Sequence, residues 1–333
     1  METSTGAGRL AHLQLLKLRA LVTEHLGSLD ESAPAPATAF GLGAGLVVGG
    51  EAWVLAAERA DRSLGPALAW ARQAGFPTTI THLHLLADEA TGVLARRAAE
   101  FDVPVTVWRV DGRVLHAAEA APVAQPPALA PAHDDLRALI VAGGAIPVVE
   151  HGVLFGEVHG LEVCRVVDGP DGTPRLEVGV GAHDREAFAL VHGDVPTIDA
   201  LAGVVAAVAA HRRPGAEPHP LNRLGAERAL RAALIADPAR VGATSLRPGE
   251  PPVPRANVKD PAPCVAIGDG PDGPLLVVCS VGVDLDVVPF AVDAWLTAGR
   301  AGQIVLALPA RDRLPVTDAL ADWANPPIRI AAQ

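Results

Sequence analysis

The chain has 333 residues, 50% apolar and 20% charged, with 38 acidic against 27 Lys and Arg side chains and a formal net charge of −11. This balance excludes a largely disordered chain and an electrostatic nucleic-acid coat, and the length predicts about two domains. Aromatic residues make up 3% with no Tyr, which removes the usual stacking platforms for single-stranded nucleic acid.

Lys17 and Lys259 are the only lysines, so chemistry that needs a Lys has two candidates. No run of about 18 apolar residues occurs, and Met1-Glu2-Thr3 carries no basic leader, so neither a membrane span nor a targeting segment is expected. Cys164, Cys264 and Cys279 form no C-x-x-C motif and leave an odd count, which predicts a reducing, cytoplasmic setting without a disulfide framework.

In chain order, Leu10, Leu13, Leu18, Leu21 and Val22 predict an amphipathic helix up to Leu26, stopped by Gly27. A Pro/Ala linker at 30–36 completes a first segment, 1–36. Two apolar runs around Gly49-Gly50 predict a β-hairpin. A helix at 64–74, a strand at 83–87, a helix at 91–101 and a strand at 105–110 follow, which makes 37–113 an α/β unit. Aperiodic Ala/Pro-rich sequence marks a linker at 114–133. The middle segment, 134–220, is strand-rich: strands are expected at 148–158, 161–167 and 176–180, between helices at 134–142 and 198–211. The last segment, 221–333, opens with a helix at 223–235. Strands at 264–267 and 275–279, a helix at 287–298, a strand at 304–308, a helix at 317–324 and a strand at 328–330 complete it. The expected class is α/β, with mixed-sheet units at both ends.

Asp-Gly-Pro-Asp-Gly occurs at 168–172 and again at 269–273. Cys164 and Cys264 precede the copies; Val180-Gly181 and Val281-Gly282 follow them. This predicts an internal repeat with two equivalent hairpin turns. A second correspondence relates Ala60-Asp61, Leu64, Pro66 and Leu68 to Val283-Asp284, Val287, Pro289 and Ala291.

Helix, β-hairpin, helix and strand, in that order, resemble the core of the restriction-endonuclease-like superfamily, the PD-(D/E)xK nucleases. The C-terminal third resembles it best, with Glu227 in the preceding helix and the hairpin between Cys264 and Cys279. The resemblance implies an Asp opening the hairpin and an acid-x-Lys on its second strand. The carboxylates would hold Mg²⁺ or Mn²⁺ to activate water, and the Lys would support charge at the scissile phosphate. The sequence departs there: Cys264 stands for the Asp, Val278 for the acid and Ser280 for the Lys. In the middle segment Glu177 matches the acid, while Gly179 and Cys164 replace the Lys and the Asp. In the N-terminal hairpin the equivalents are Leu55 and Ala57. The expectation is a degenerate nuclease-like fold with no catalytic set, no resident metal and no cofactor. A migrated site would use Lys259 with Asp269 or Asp272. An active metal-dependent nuclease or phosphodiesterase would use Glu177 with Asp168 or Asp171.

Other constellations read as structural. Gly41-x-Gly43-x-Gly45 leads into a strand and turn rather than the helix that a phosphate loop requires. Glu150, His151, Glu157, His159, Glu162 and Cys164 are metal-ligand types. On alternating strands Glu157 and His159 would share one face, and Glu162 and Cys164 the other, which leaves too few ligands together. His82 and His84 share a strand face, with Asp88 at the strand's carboxyl end, where α/β sheets bind ligands. His183-Asp184-Arg185-Glu186 has the form of a capped helix start. Ser280 lacks a G-x-S-x-G context.

The basic residues concentrate from His211 to Arg231. Arg212, Arg213, Arg223 and Arg228, with Asn222 nearby, are the candidate nucleic-acid contacts, diluted by Glu217 and Glu227. The functional expectation is a cytoplasmic protein that acts by binding nucleic acid or a protein partner; the alternatives are an active metal-dependent nuclease and a structural or assembly subunit.

Overall fold

The computed structural model describes residues 2–29, 37–40, 43–182, 184–187, 196–213, 215–217, 219–255 and 261–333. The expected linker at 30–36, Gly41, His183 and Lys259 lie outside them. The fold is α/β, as the alternation of patterns predicts, and no helix of the described residues is long and apolar enough to cross a membrane. The chain forms two compact units. Met1–Val123, Asp284–Asp293 and Leu314–Ile328 build the first; Ala124–Val283, Ala294–Arg313 and Arg329–Gln333 build the second. The sequence at 221–333 is therefore divided between both.

The first unit holds a six-stranded sheet in sequential order: β1 (Ala37–Phe40), β2 (Gly43–Val48), β3 (Glu51–Ala56), β4 (His82–Ala87), β5 (Val105–Asp111) and β6 (Val114–Ala117). The pairs β1/β2, β2/β3 and β5/β6 are antiparallel; β3/β4 and β4/β5 are parallel. Gly49 and Gly50, at φ +60° and +84°, make the left-handed two-residue turn that joins β2 to β3. Helix α1 (Glu2–Leu26) seats Leu18, Leu21 and Val22 on Leu46, Trp53, Leu55 and Leu86. Helices α2 (Leu64–Gln73) and α3 (Thr91–Ala98) connect the parallel strands. Strand β6 lies where the sequence reads as the start of a linker; its Ala- and Pro-rich continuation hides four residues that pair with β5.

In the second unit, helices α4 (Pro131–Asp134) and α5 (Arg137–Ala142) lead into an antiparallel sheet, order β10-β9-β8-β7. Its strands are β7 (Ile146–Glu150), β8 (Val153–Val158), β9 (Leu161–Asp168) and β10 (Pro174–Val178). The single strand expected at 148–158 is two, because His151 and Gly152, at φ +50° and +72°, turn the chain back on itself. One face packs Leu154, Val163, Cys164 and Val166 against Ile140 and against Leu201 and Val208 of helix α6 (Thr197–Arg212).

Helix α7 (Ala226–Ala236) precedes a five-stranded sheet: β11 (Ser245–Gly249), β12 (Cys264–Gly270), β13 (Gly273–Cys279), β14 (Gln303–Leu308) and β15 (Arg329–Ala332). Leu234 of α7 packs on Cys264, Ala266, Val277 and Val305. Helix α8 (Val287–Thr297) joins β13 to β14, and α9 (Pro315–Trp323) joins β14 to β15. Strand β11 is absent from the sequence reading because Pro248 and Gly249 interrupt its pattern; Pro is tolerated on this edge strand, where one row of N–H groups has no ladder partner.

Both Asp-Gly-Pro-Asp-Gly copies lie in hairpin connections of unequal form. Asp168 opposes Pro174 across a five-residue loop, 169–173, whereas Gly270 opposes Gly273 across Pro271 and Asp272. Strand β10 ends its sheet, while β13 continues into parallel β14. By order and direction, β11–β15 instead match β1–β5: three antiparallel strands, then two parallel ones, with a helix before each parallel strand.

Candidate functional site

Most positions that carry nuclease chemistry by resemblance are core, although Ala57 is exposed and Glu177 half-buried. Cys264, Val278, Ser280 and Leu55 are all buried. The alternative carboxylates do not converge. Asp168 accepts a hydrogen bond from His133 at 2.8 Å, Asp171 accepts from the Thr173 N–H and hydroxyl inside its loop, and Glu177 pairs with Arg175 at 2.7 Å. Asp269 is bonded by the Ser245 hydroxyl at 3.4 Å, and Asp272 is exposed at the β12–β13 turn. Among the described residues no group of three or more His, Cys, Asp and Glu is placed to hold a metal ion. A cavity of about 240 Å³, lined by Arg247, Ile267, Asp269, Leu275 and Ala298, is below the roughly 300–1,000 Å³ usual for ligand sites.

The glycines at 43 and 45 serve packing. A Cβ on Gly45 would enter the Trp70 indole, and one on Gly43 would strike the Leu55 carbonyl. His82 and His84 sit at the amino end of β4, the opposite end from Asp88, which pairs with Lys17 at 2.9 Å. The ring of His84 stacks on Trp53 with centroids 3.8 Å apart. The Trp108 indole N–H donates to His84 Nδ1 at 3.0 Å, so the imidazole proton resides on Nε2, which faces Glu51 Oε2 at 3.2 Å. Burial, aided by His82, lowers the His84 pKa to about 4 against the opposing pull of Glu51. Both ring nitrogens are engaged and the ring is neutral, so it is a core histidine rather than a base.

The four candidate arginines separate. Arg213 and Arg223 are exposed. Arg212 gives its N–H groups to the carbonyls of Leu221 at 2.6 Å, Leu224 at 2.8 Å and His159 at 3.1 Å. Arg228 is buried, paired with Glu150 and stacked 4.9 Å over the Phe155 ring. Burial withdraws Arg228 from solution, and the three carbonyls occupy Arg212, so a phosphate meets two of the four.

Arg228 belongs to an arrangement that the sequence reading missed. Glu150, Phe155, Glu157, Glu162 and Arg165 share the face of the middle sheet opposite its apolar core. The β8–β9 register shifts by one residue at Gly156/Glu157, so Glu162 opposes Glu157 while Cys164 opposes Gly156. This bulge reverses side-chain alternation: Glu162 joins the ionic face and Cys164 the apolar core, correcting the expectation that they share one. His159 is likewise not on the strand with Glu157; it occupies the β8–β9 turn at φ +45°. His151 is drawn to Glu250, whose Oε1 accepts its backbone N–H at 2.6 Å. Onto the carboxylates α7 lowers Arg228 and fully buried Arg231. Arg231 bonds Glu150 at 2.8 Å and Glu157 at 2.9 and 3.1 Å; Arg165 clamps Glu162 through two bonds of 2.7 and 2.8 Å. Burial opposes ionisation of Glu150, but Arg228 and Arg231 outweigh it and lower its pKa. The available signal was spacing: Arg228, Arg231 and Leu234 recur every three residues on one helix face, the face that is buried.

A second buried ionic cluster stands in the first unit. Arg97 bonds Asp293 at 3.0 Å and Asp286 at 3.3 Å, and Arg96 clamps Asp293 at 2.9 and 3.1 Å. Asp286 also accepts the Gly65 N–H at 3.0 Å in the first turn of α2. Both clusters are internal cross-links.

No family model, curated protein or solved structure matches the chain.

Proposed function

We propose that the chain is a degenerate nuclease-like scaffold that acts by binding, and that its partner is a protein rather than a nucleic acid. The observation that carries this reading is the commitment of Arg228 and Arg212 to internal partners in a chain of net charge −11. With half of its basic candidates turned inward, only Arg213 and Arg223 of the four are left to meet a phosphate backbone. The restriction-endonuclease-like ancestry draws support from the order helix, antiparallel hairpin, helix, parallel strand, present in α1–β4 and again in α7–β14. Loss of catalysis draws support from the buried Cys264, Val278 and Ser280. Helix α1 offers apolar surface to a protein partner, with Leu10, Leu13 and Leu16 each about half exposed.

The test has two arms. Purified protein with Mg²⁺ or Mn²⁺ should leave DNA and RNA intact and show no salt-dependent binding to either. Cleavage, or binding whose salt slope falls in an Arg213→Ala, Arg223→Ala variant, would overturn the reading. In the second arm, proteins retained from cells that express the chain are compared for wild type and a Leu10→Ser, Leu13→Ser, Leu16→Ser variant. Loss of a retained protein supports binding through α1; identical retention removes that surface.

A further inference from the structure

Two of the three cysteines face one another. Cys264 opens β12 and Cys279 closes β13, and the register of this antiparallel pair places them directly opposite. Opposed residues project to the same face, and both thiols lie in the core under α7. Pro274 fixes the phase of the ladder. It has no N–H, and the carbonyl of its partner Asp269 turns away from β13 to accept Thr244 N–H at 2.7 Å. Asp269 and Pro274 are thus a non-hydrogen-bonded pair, and alternation from there makes Cys264 and Cys279 a hydrogen-bonded one. Such pairs hold their Cα atoms about 5.5 Å apart, within the roughly 4.4–6.8 Å that a disulfide spans. The two thiols are themselves in hydrogen-bond contact.

We propose that Cys264 and Cys279 form a cross-strand dithiol that hydrogen peroxide oxidises to an intramolecular disulfide, closing the open end of the β12–β13 hairpin. Cys264 is the attacking thiol: it is 4% exposed where Cys279 is fully buried. Its sulfur, as the thiolate, attacks one peroxide oxygen and the O–O bond breaks. The sulfur becomes a sulfenic acid, and the departing oxygen leaves as water with the proton released from the thiol. Cys279 then attacks the sulfenic sulfur, its proton leaves with the hydroxyl, and a second water is released. Two thiols and one peroxide give one disulfide and two waters. The arrangement assists both steps. Arg231 lies close enough for its charge to act on both thiols, and its buried Nε–H has no acceptor among the described residues. Contact with Cys264, together with burial, raises the Cys279 thiol pKa, so it stays protonated until the sulfenic acid is presented. Cys164 supplies an internal control: Gly156 and Val178 oppose it in the sheet, and burial pushes its pKa up to about 12.

The experiment uses the full chain under native conditions. Hydrogen peroxide is added in steps, free thiols are alkylated under denaturing conditions, and the products are digested and weighed. Trypsin leaves both cysteines in one peptide, because no Lys or Arg lies between them; cleavage at Asp269 and Asp272 separates them unless they are joined. The expected result is one linked product per chain for each peroxide consumed, two hydrogens lighter than the dithiol and restored by dithiothreitol, with Cys164 fully alkylated. A Cys279→Ser variant should stop at a Cys264 sulfenic acid that dimedone traps. Recovery of both residues as alkylated thiols, their separate oxidation to sulfinic acids, or linkage between chains would overturn the proposal. The wild-type mass alone decides the matter if the variant does not fold.

Discussion

Arg231 Nη2 lies 2.9 and 3.1 Å from the two carboxylate oxygens of Glu157, at the centre of the second unit. Its Nη1 bonds Glu150 at 2.8 Å and the Val265 carbonyl at 3.3 Å. One side chain thereby ties α7 to the ionic face of the middle sheet and to strand β12. Glu157 directly opposes Glu162, a like-charge pair that is tolerable only with cations this close.

Arg231→Met should therefore be costly. The apolar stem is kept, but Glu157 loses its closest counter-ion and Glu150 one of its two. Removing one partner of a buried pair leaves an uncompensated charge, at about 3–5 kcal/mol. Urea denaturation measures it, and a loss under about 1 kcal/mol would mean that water already reaches these carboxylates. The low Glu150 pKa adds a sign: its contribution is present above the unfolded carboxylate pKa and is lost as pH falls through the lower folded value.

Arg212 and Arg213 are sequence neighbours with opposite expectations. Arg212→Ala strips three carbonyl partners of their donors and should destabilise by roughly 1–3 kcal/mol. Arg213→Ala, on the surface, should stay within about 0.5 kcal/mol. Thermal unfolding of the two variants compares them, and equal effects would contradict the assigned geometry.

His84 makes the first unit sensitive to acid. Its folded pKa of about 4 lies below the unfolded 6.5, so its contribution is complete above pH 6.5 and declines as pH falls toward 4. The loss is on the order of 3 kcal/mol. Protonation at Nδ1 also displaces the Trp108 N–H, so the Trp fluorescence of the folded protein should change around pH 4. His84→Gln should remove the part of the pH dependence between 6.5 and 5; an unchanged profile would assign that part to other groups.

Asp286 works in the opposite direction. Burial raises its pKa to about 7 despite Arg97, whose guanidinium lies closer to Asp293 than to Asp286. The folded state then holds a proton that the unfolded state releases, so the contribution is greatest below the unfolded carboxylate pKa and diminishes as pH rises toward 7. Asp286→Asn retains an acceptor for the Gly65 N–H and should flatten stability between pH 4 and 7. A slope equal to wild type over that range would show that Asp286 ionises as an ordinary carboxylate.

Local chemistry made much of this protein legible. The Gly49-Gly50 turn, the strand at Leu83–Ala87, the hairpin between Cys264 and Cys279 and the helices that follow it are fixed by turn residues and apolar period, and these act over a few neighbours. The α/β class follows from their alternation. Strands β6 and β11 were illegible because their pairing comes from β5 and β12, and their own sequences are short or interrupted by Pro. The arginines show the same limit more sharply. Charge and spacing describe Arg212, Arg213, Arg223 and Arg228 alike, but whether each meets water or a buried carboxylate depends on which sheet face its helix covers. A one-residue register shift at Gly156/Glu157 decides that Glu162 awaits an arginine while Cys164 enters the core. Side chains alternate with a period of two, so a single bulge exchanges the faces, and only the paired strands show where the bulge falls.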